Sequence, residues 1–140
     1  PAQQAILAFQ GAMEGHLLVE ESVLFPAFEA AFGQPDSPTR TMRAEHLRIR
    51  AVAGRLADSV SECDADAFAT HAEVLLLLLH QHAEKEEGVL YPIIERVLAR
   101  RCETVLAEMQ AFGSMRRDAA PNMQGYLAPQ RDVKGMLPAH

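Results

Sequence analysis

Tryptophan is absent from the chain, tyrosine and cysteine occur twice each, and nowhere do lysine and arginine gather into a block. With no basic cluster and a formal charge of −6, the surface offers little to a phosphate backbone or an anionic lipid, so neither nucleic acid nor membrane is expected as a partner. The longest unbroken apolar run, Val74 to Leu79, falls far short of the ~20 residues that cross a bilayer. Cys63 and Cys102 lie far apart and neither belongs to a CxxC pair. In a chain of this size they read as small hydrophobes in a reducing compartment rather than as a disulfide scaffold. The opening Pro-Ala-Gln-Gln-Ala lacks the basic flank and cleavage site of a secretory leader. Together these absences set the expectation of a cytoplasmic protein.

What is present favours helix. Apolar residues make up 49% of the 140 positions, and alanine and leucine dominate them. That length suits one domain with a genuine core. Three long amphipathic segments follow one another. About residues 2–32, a stripe of Ile6, Phe9, Met13, His16, Glu20, Val23 and Ala27 recurs at helical spacing, and Pro26 predicts a bend. After the break at Gly33 to Pro38, the stripe Met42, His46, Ile49, Ala53, Leu56 and Val60 predicts a helix over about 38–61. Asp64 or Asp66 then caps a third helix of about 66–100, striped with His71, Leu75, Leu78, His82, Glu86, Val89 and Ile93.

Beyond Phe112 the residues Gly113, Pro121, Gly125, Pro129, Gly135 and Pro138 interrupt any periodicity. The expected organisation is therefore a helical domain over 1–112 and an irregular tail over 113–140. The fold class is all-α, an up-down antiparallel bundle. Three helices are evident, and their wide apolar stripes ask for a fourth neighbour, from the tail or from a partner chain. A homodimer is the expected assembly.

One phrase occurs twice, 66 residues apart: His16-Leu-Leu-Val-Glu20-Glu21-Ser-Val23-Leu24-Phe25-Pro26 and His82-Ala-Glu-Lys-Glu86-Glu87-Gly-Val89-Leu90-Tyr91-Pro92. Four residues advance a helix by about 400°, so each histidine and the glutamate after it share one face, one turn apart. An imidazole and a carboxylate so placed can reach one metal ion, or one ion and its neighbour. A single histidine on an apolar stripe is usually a satisfied core residue. Here three helices each place one there, His16, His46 and His82, and two carry a glutamate one turn on. Burying such carboxylates without a counter-charge costs several kcal/mol each, and a divalent or trivalent ion removes that cost. The expected metal ligands are His16, Glu20, His46, His82 and Glu86.

Glu21 and Glu87 sit five residues after their histidines, about 140° round the helix, and are expected to face solvent or a helix boundary, with an inward swing near the proline as second choice. Glu45 is a candidate to support the ligands from behind. His71 lies about 16 Å along the axis from His82 and belongs to core or channel rather than to the same centre, whereas His80 faces outward. The Leu75 to Leu79 run is expected to be buried and to keep water from the metals.

The doubled H-x3-E-E-x-V-L-[F/Y]-P phrase, with Met42-Arg-Ala-Glu45-His46 between, resembles the hemerythrin-like (HHE cation-binding) domains over roughly residues 1–100. That resemblance implies a four-helix bundle around a non-haem di-iron centre. By position it implies Glu20 and Glu86 as bridging carboxylates, His46 and His82 as terminal ligands of one iron, and His16 of the other. Family members normally open with a further histidine-bearing helix, which has no counterpart in the fifteen residues before His16. The resemblance therefore leaves open a lost helix, its replacement by the tail or a second chain, or a single metal; His140 is a remote candidate for the missing ligand.

The expected function is a di-iron protein that binds or senses O2, NO or a peroxide, or serves iron homeostasis, with manganese or zinc as alternative metals. Whether it turns a substrate over is left open by the residues. A ferritin-like oxidase is disfavoured, because its Glu-x-x-His order is met by none of the six histidines. The alternative is a metal-free helical interaction or dimerisation module, which struggles to account for the paired glutamates.

Overall fold

The computed structural model describes the backbone of residues 1–134 and the side chains of residues 1–119; among them every regular element is helical. The order is α1 (Ala2–Val19), a π-helical turn (Glu20–Leu24), α2 (Phe25–Phe32), α3 (Thr39–Ser61), α4 (Ala65–Lys85), a second π-helical turn (Glu86–Leu90), α5 (Tyr91–Val97) and α6 (Cys102–Lys134). The all-α bundle expected from the stripes is what the chain forms.

Each long rod contains its proline without breaking. Pro26 and Pro92 have no N–H for an α-type bond, and the turn before each widens instead. The N–H of Phe25 reaches the carbonyl of Glu20, and the N–H of Tyr91 that of Glu86. The bend expected at Pro26 is therefore a π turn, and it falls on the two glutamates of the repeated phrase. Gly33 ends α2 in the left-handed conformation at φ 65°, and Asp64 Oδ1 accepts the Ala67 N–H to cap α4.

Two apolar clusters stack along the bundle. The first joins Leu24, Phe25, Phe28, Met42, Leu90, Ile94, Leu98 and Val105; the second joins Leu17, Ile49, Val52, Ala53, Leu56 and Leu75. On α3, Met42 belongs to the first and Ile49 to the second, with His46 between them. The polar residues of the repeat thus lie in a layer sandwiched by hydrocarbon.

The irregular tail is corrected. Residues 113–134 continue a helix that starts at Cys102, and Val105 buries itself in the first cluster with Cys102 and Met109 against it. A glycine inside a helix costs only about 1 kcal/mol against alanine, so Gly113 does not stop a helix anchored by that contact. α6 packs on α1 and on the first π turn, and the fourth neighbour that the stripes ask for comes from this chain's own α6. Residues 135–140, with His140, lie outside the described part.

The leucine run is also corrected. Leu75 is buried, but Leu76 and Leu77 are 68% and 56% exposed, and Val74 lies open beside them. α4 rests chiefly on α3, and α6 lies against α1 rather than over the outer face of α4. No described helix is long and apolar enough to cross a membrane.

Candidate metal centre

Glu20, His46, His82 and Glu86 are all buried, and each aims one ligand atom at a common point; the four atoms lie within 4.8 Å of one another. His46 Nε2 is 3.1 Å from Glu20 Oε2, His82 Nε2 is 2.8 Å from Glu86 Oε1, and the two Nε2 atoms are 3.2 Å apart. α1 with its π turn, α3, and α4 with its π turn supply these groups, so the centre holds three parts of the bundle in register.

Hydrogen bonds behind the imidazoles decide which nitrogen faces in. His46 Nδ1 sits 2.8 Å from Glu21 Oε2, and His82 Nδ1 sits 2.8 Å from Glu45 Oε2. A carboxylate only accepts, so each Nδ1 carries a proton, and a metal-binding ring of this orientation turns its Nε2 lone pair to the centre. Glu21 is itself held by a two-pronged bond from Arg50, which also grips Glu14; Glu45 is held by Lys85. The expected supporting role of Glu45 holds. For Glu21 the second choice, an inward swing, holds rather than the first: the π turn it occupies and the Arg50 guanidinium bring it inward, while Glu87 stays exposed.

The carboxylates' second oxygens form an outer set. Glu20 Oε1 is 3.0 Å from His16 Nε2, and Glu86 Oε2 is 4.0 Å from the same nitrogen. The Tyr91 hydroxyl lies 2.8 Å from both of those oxygens. His16 is therefore beside the expected partners but not buried as expected. Its side chain is 59% exposed. In the sequence Tyr91 reads as the aromatic equivalent of Phe25, and the one signal of a different role is the extra hydroxyl in the second copy of the phrase.

Charge follows from this packing. Burial alone pushes the Glu20 carboxyl up, but the hydrogen bonds from His16 and its other neighbours outweigh burial and hold it well below the usual range. The Glu20 hydrogen bond raises His16. For His82, burial pulls downward and the Glu86 and Glu45 carboxylates pull upward more strongly, so it ends raised. The Arg50 hydrogen bond lowers Glu21, and for Glu45 the Lys85 and His82 bonds overcome burial with the same result. Burial pushes Tyr91 far up, so its hydroxyl keeps its proton.

A cation fits the inner set. Glu20 Oε2 and Glu86 Oε1 are buried and, among the described residues, have no hydrogen-bond donor once the His46 and His82 Nε2 atoms beside them present lone pairs. Leaving such atoms unpaired costs about 1–3 kcal/mol each, more when charged. Two inward lone pairs and two unpartnered carboxylate oxygens around one point are the donor set of a metal ion, and nitrogen and oxygen without sulfur suit iron, manganese or zinc. The sequence of residues 1–94 matches the family model described as the hemerythrin HHE cation binding domain. The chain belongs to that family. The hemerythrin-type match ends inside α5, so α6 lies beyond the part that defines it. Neither a curated relative nor a solved structure matches the chain significantly. Family and geometry agree on a metal-binding role for the buried His/Glu cluster.

His71 is half-buried on α4 and takes no part in the centre, and His80 is exposed and pairs with Glu84.

Proposed function

We propose that this hemerythrin-type domain is a non-haem iron protein, built for two irons, that binds or senses O2, NO or a peroxide, or serves iron homeostasis. The observation that carries the reading is the pair of unpartnered buried oxygens, Glu20 Oε2 and Glu86 Oε1, facing two inward imidazole nitrogens. Iron bound there would supply the electron exchange that such small ligands require. The protein's own part is separate and physical. Glu21 and Glu45 fix the rings of His46 and His82, and Glu20 and Glu86 each offer one oxygen to the inner and one to the outer set. Phe25, itself fully buried, stacks on His46 at 5.6 Å between centroids and covers that side of the inner set.

Half-exposed His16 leaves the outer set open to a small molecule from solvent, whereas the inner set has no such path. We include self-association through Val74, Leu76 and Leu77 in the same proposal; sedimentation over a range of concentrations tests it, and a monomer throughout would remove it.

Elemental analysis of protein purified without chelator tests the main reading. At least one iron per chain is expected, and His46→Ala should lose most of it while keeping its helical content. Absence of iron both as purified and after anaerobic reconstitution would overturn the assignment.

A further inference from the structure

Of the seven matched positions in the two copies of the repeated phrase, six are identical and the seventh pairs Phe25 with Tyr91. The difference reaches the centre. Phe25 is fully buried and stacks on His46 beside the inner set. Tyr91 instead carries a hydroxyl that meets the outer oxygens of both glutamates, 2.8 Å from each.

The inner and outer sets are thereby left in opposite conditions. At the inner set, among the described residues, Glu20 Oε2 and Glu86 Oε1 meet no hydrogen-bond donor other than the imidazoles of His46 and His82, whose Nε2 atoms face them at 3.1 and 2.8 Å. A cation arriving there meets two carboxylate oxygens and two imidazole nitrogens already aimed at one point. At the outer set both oxygens already meet Tyr91, and among the described residues only one imidazole, that of exposed His16, is within reach. A cation there must compete with a hydrogen bond to a charged acceptor, one of the stronger kinds.

We propose that Tyr91 makes the centre unequal: the inner set takes a divalent cation first, and the Tyr91 hydroxyl holds the outer oxygens against a second. The inference rests on the reading of the cluster as a cation site. It assigns to Tyr91 the setting of how many cations are held at a given free concentration. The hydroxyl acts as a donor that competes for the two oxygens, not as a ligand.

The test is a cobalt(II) titration of the metal-stripped full chain, in competition with a chromophoric chelator, for the natural protein and for Tyr91→Phe. The natural protein should bind in two steps, the second at least about tenfold weaker. In Tyr91→Phe the gap between the steps should narrow by about 10- to 100-fold, the worth of one hydrogen bond to a charged acceptor. Phe25 already fills the matching place in the first copy, so the substitution suits the fold, and circular dichroism checks it. A second measurement needs no variant: tyrosine ultraviolet absorption should move with the second equivalent of cobalt and not with the first. Two equal steps in the natural protein would overturn the proposal. So would a gap that stays or widens in Tyr91→Phe, since the hydroxyl would then be neutral or supportive towards the outer cation. Binding of no cobalt at all would instead sink the cation site itself.

Discussion

Glu21 and His46 are joined by a 2.8 Å hydrogen bond that ties the first π turn to the middle of α3. Its counterpart joins Glu45 to His82, so each inward imidazole is steered by a carboxylate from a different helix. Groups that orient a metal-bound histidine in this way are commonly worth about 10–100-fold in metal affinity. Glu21→Gln should therefore weaken the first cation by about that factor. Glu87→Gln, at the equivalent but exposed position of the second copy, should leave it unchanged. Chelator competition measures both; equal affinities for the two variants would remove Glu21 from its steering role.

Stability should respond to pH in opposite ways with and without metal. His82 is raised from its ordinary 6.5, because Glu86 and Glu45 together overcome its burial. Its contribution is thus complete below that ordinary value and is lost as pH climbs through the higher folded one. Glu20 is lowered from 4.5, so its contribution is present above that value and is lost on acidification. The metal-free domain should be most stable between those two ordinary values. A bound cation requires unprotonated imidazoles and competes with their protons. The rise in Tm on adding zinc(II) should accordingly be larger at about pH 8 than at about pH 5.5. An increment that is constant or shrinks with rising pH would contradict this charge arrangement.

Val105 is buried in the first cluster, whereas its neighbour Leu106 is 56% exposed. If α6 is docked as the bundle's fourth helix, Val105→Ala should cost about 1–3 kcal/mol in urea unfolding. Leu106→Ala should stay within about 0.5 kcal/mol. Similar small losses for the two would mean that α6 does not hold this place in solution.

Cys63 closes α3 in a left-handed conformation at φ 56° and is exposed, with Asp64 N–H reaching the Ser59 carbonyl beside it. A side chain there costs about 1–2 kcal/mol that glycine avoids. Cys63→Gly should raise stability by up to about 1 kcal/mol, measured by thermal or urea unfolding, after allowing for the greater freedom of glycine in the unfolded chain. A loss of stability would mean that the thiol makes a contact of its own worth more than the strain.

Much of the bundle and of the centre was legible because both rest on periodicity. Glu20, His46, His82 and Glu86 fall on the stripes that also bury Met42, Ile49 and Leu75, so one spacing rule locates core and ligands together. What escaped was whatever departs from that rule. The spacing of Glu21 assumes even winding, which the π turn does not keep. The role of Tyr91 depends on a single oxygen that a hydrophobic pattern cannot distinguish from Phe25. The helix at 113–134 is hidden by glycines and prolines that interrupt its periodicity, whereas its start is fixed by the packing of Cys102, Val105 and Met109 on the first cluster. The exposure of His16 and Leu77 depends on which helix α6 leans against, a matter of tertiary arrangement alone.

The two π turns also divide labour within each long rod. Upstream of the turn, the helix sets where the glutamate points; downstream, α2 or α5 sets how Phe28 or Ile94 enters the apolar cluster. An uninterrupted α-helix would lock those two orientations together, at about 100° per residue. One residue of slack in each rod uncouples them, so the packing end can be remodelled by mutation without turning a carboxylate away from its histidine. Removing that residue, for instance by deleting Val23 or Val89, would force the chain to choose between its core and its centre.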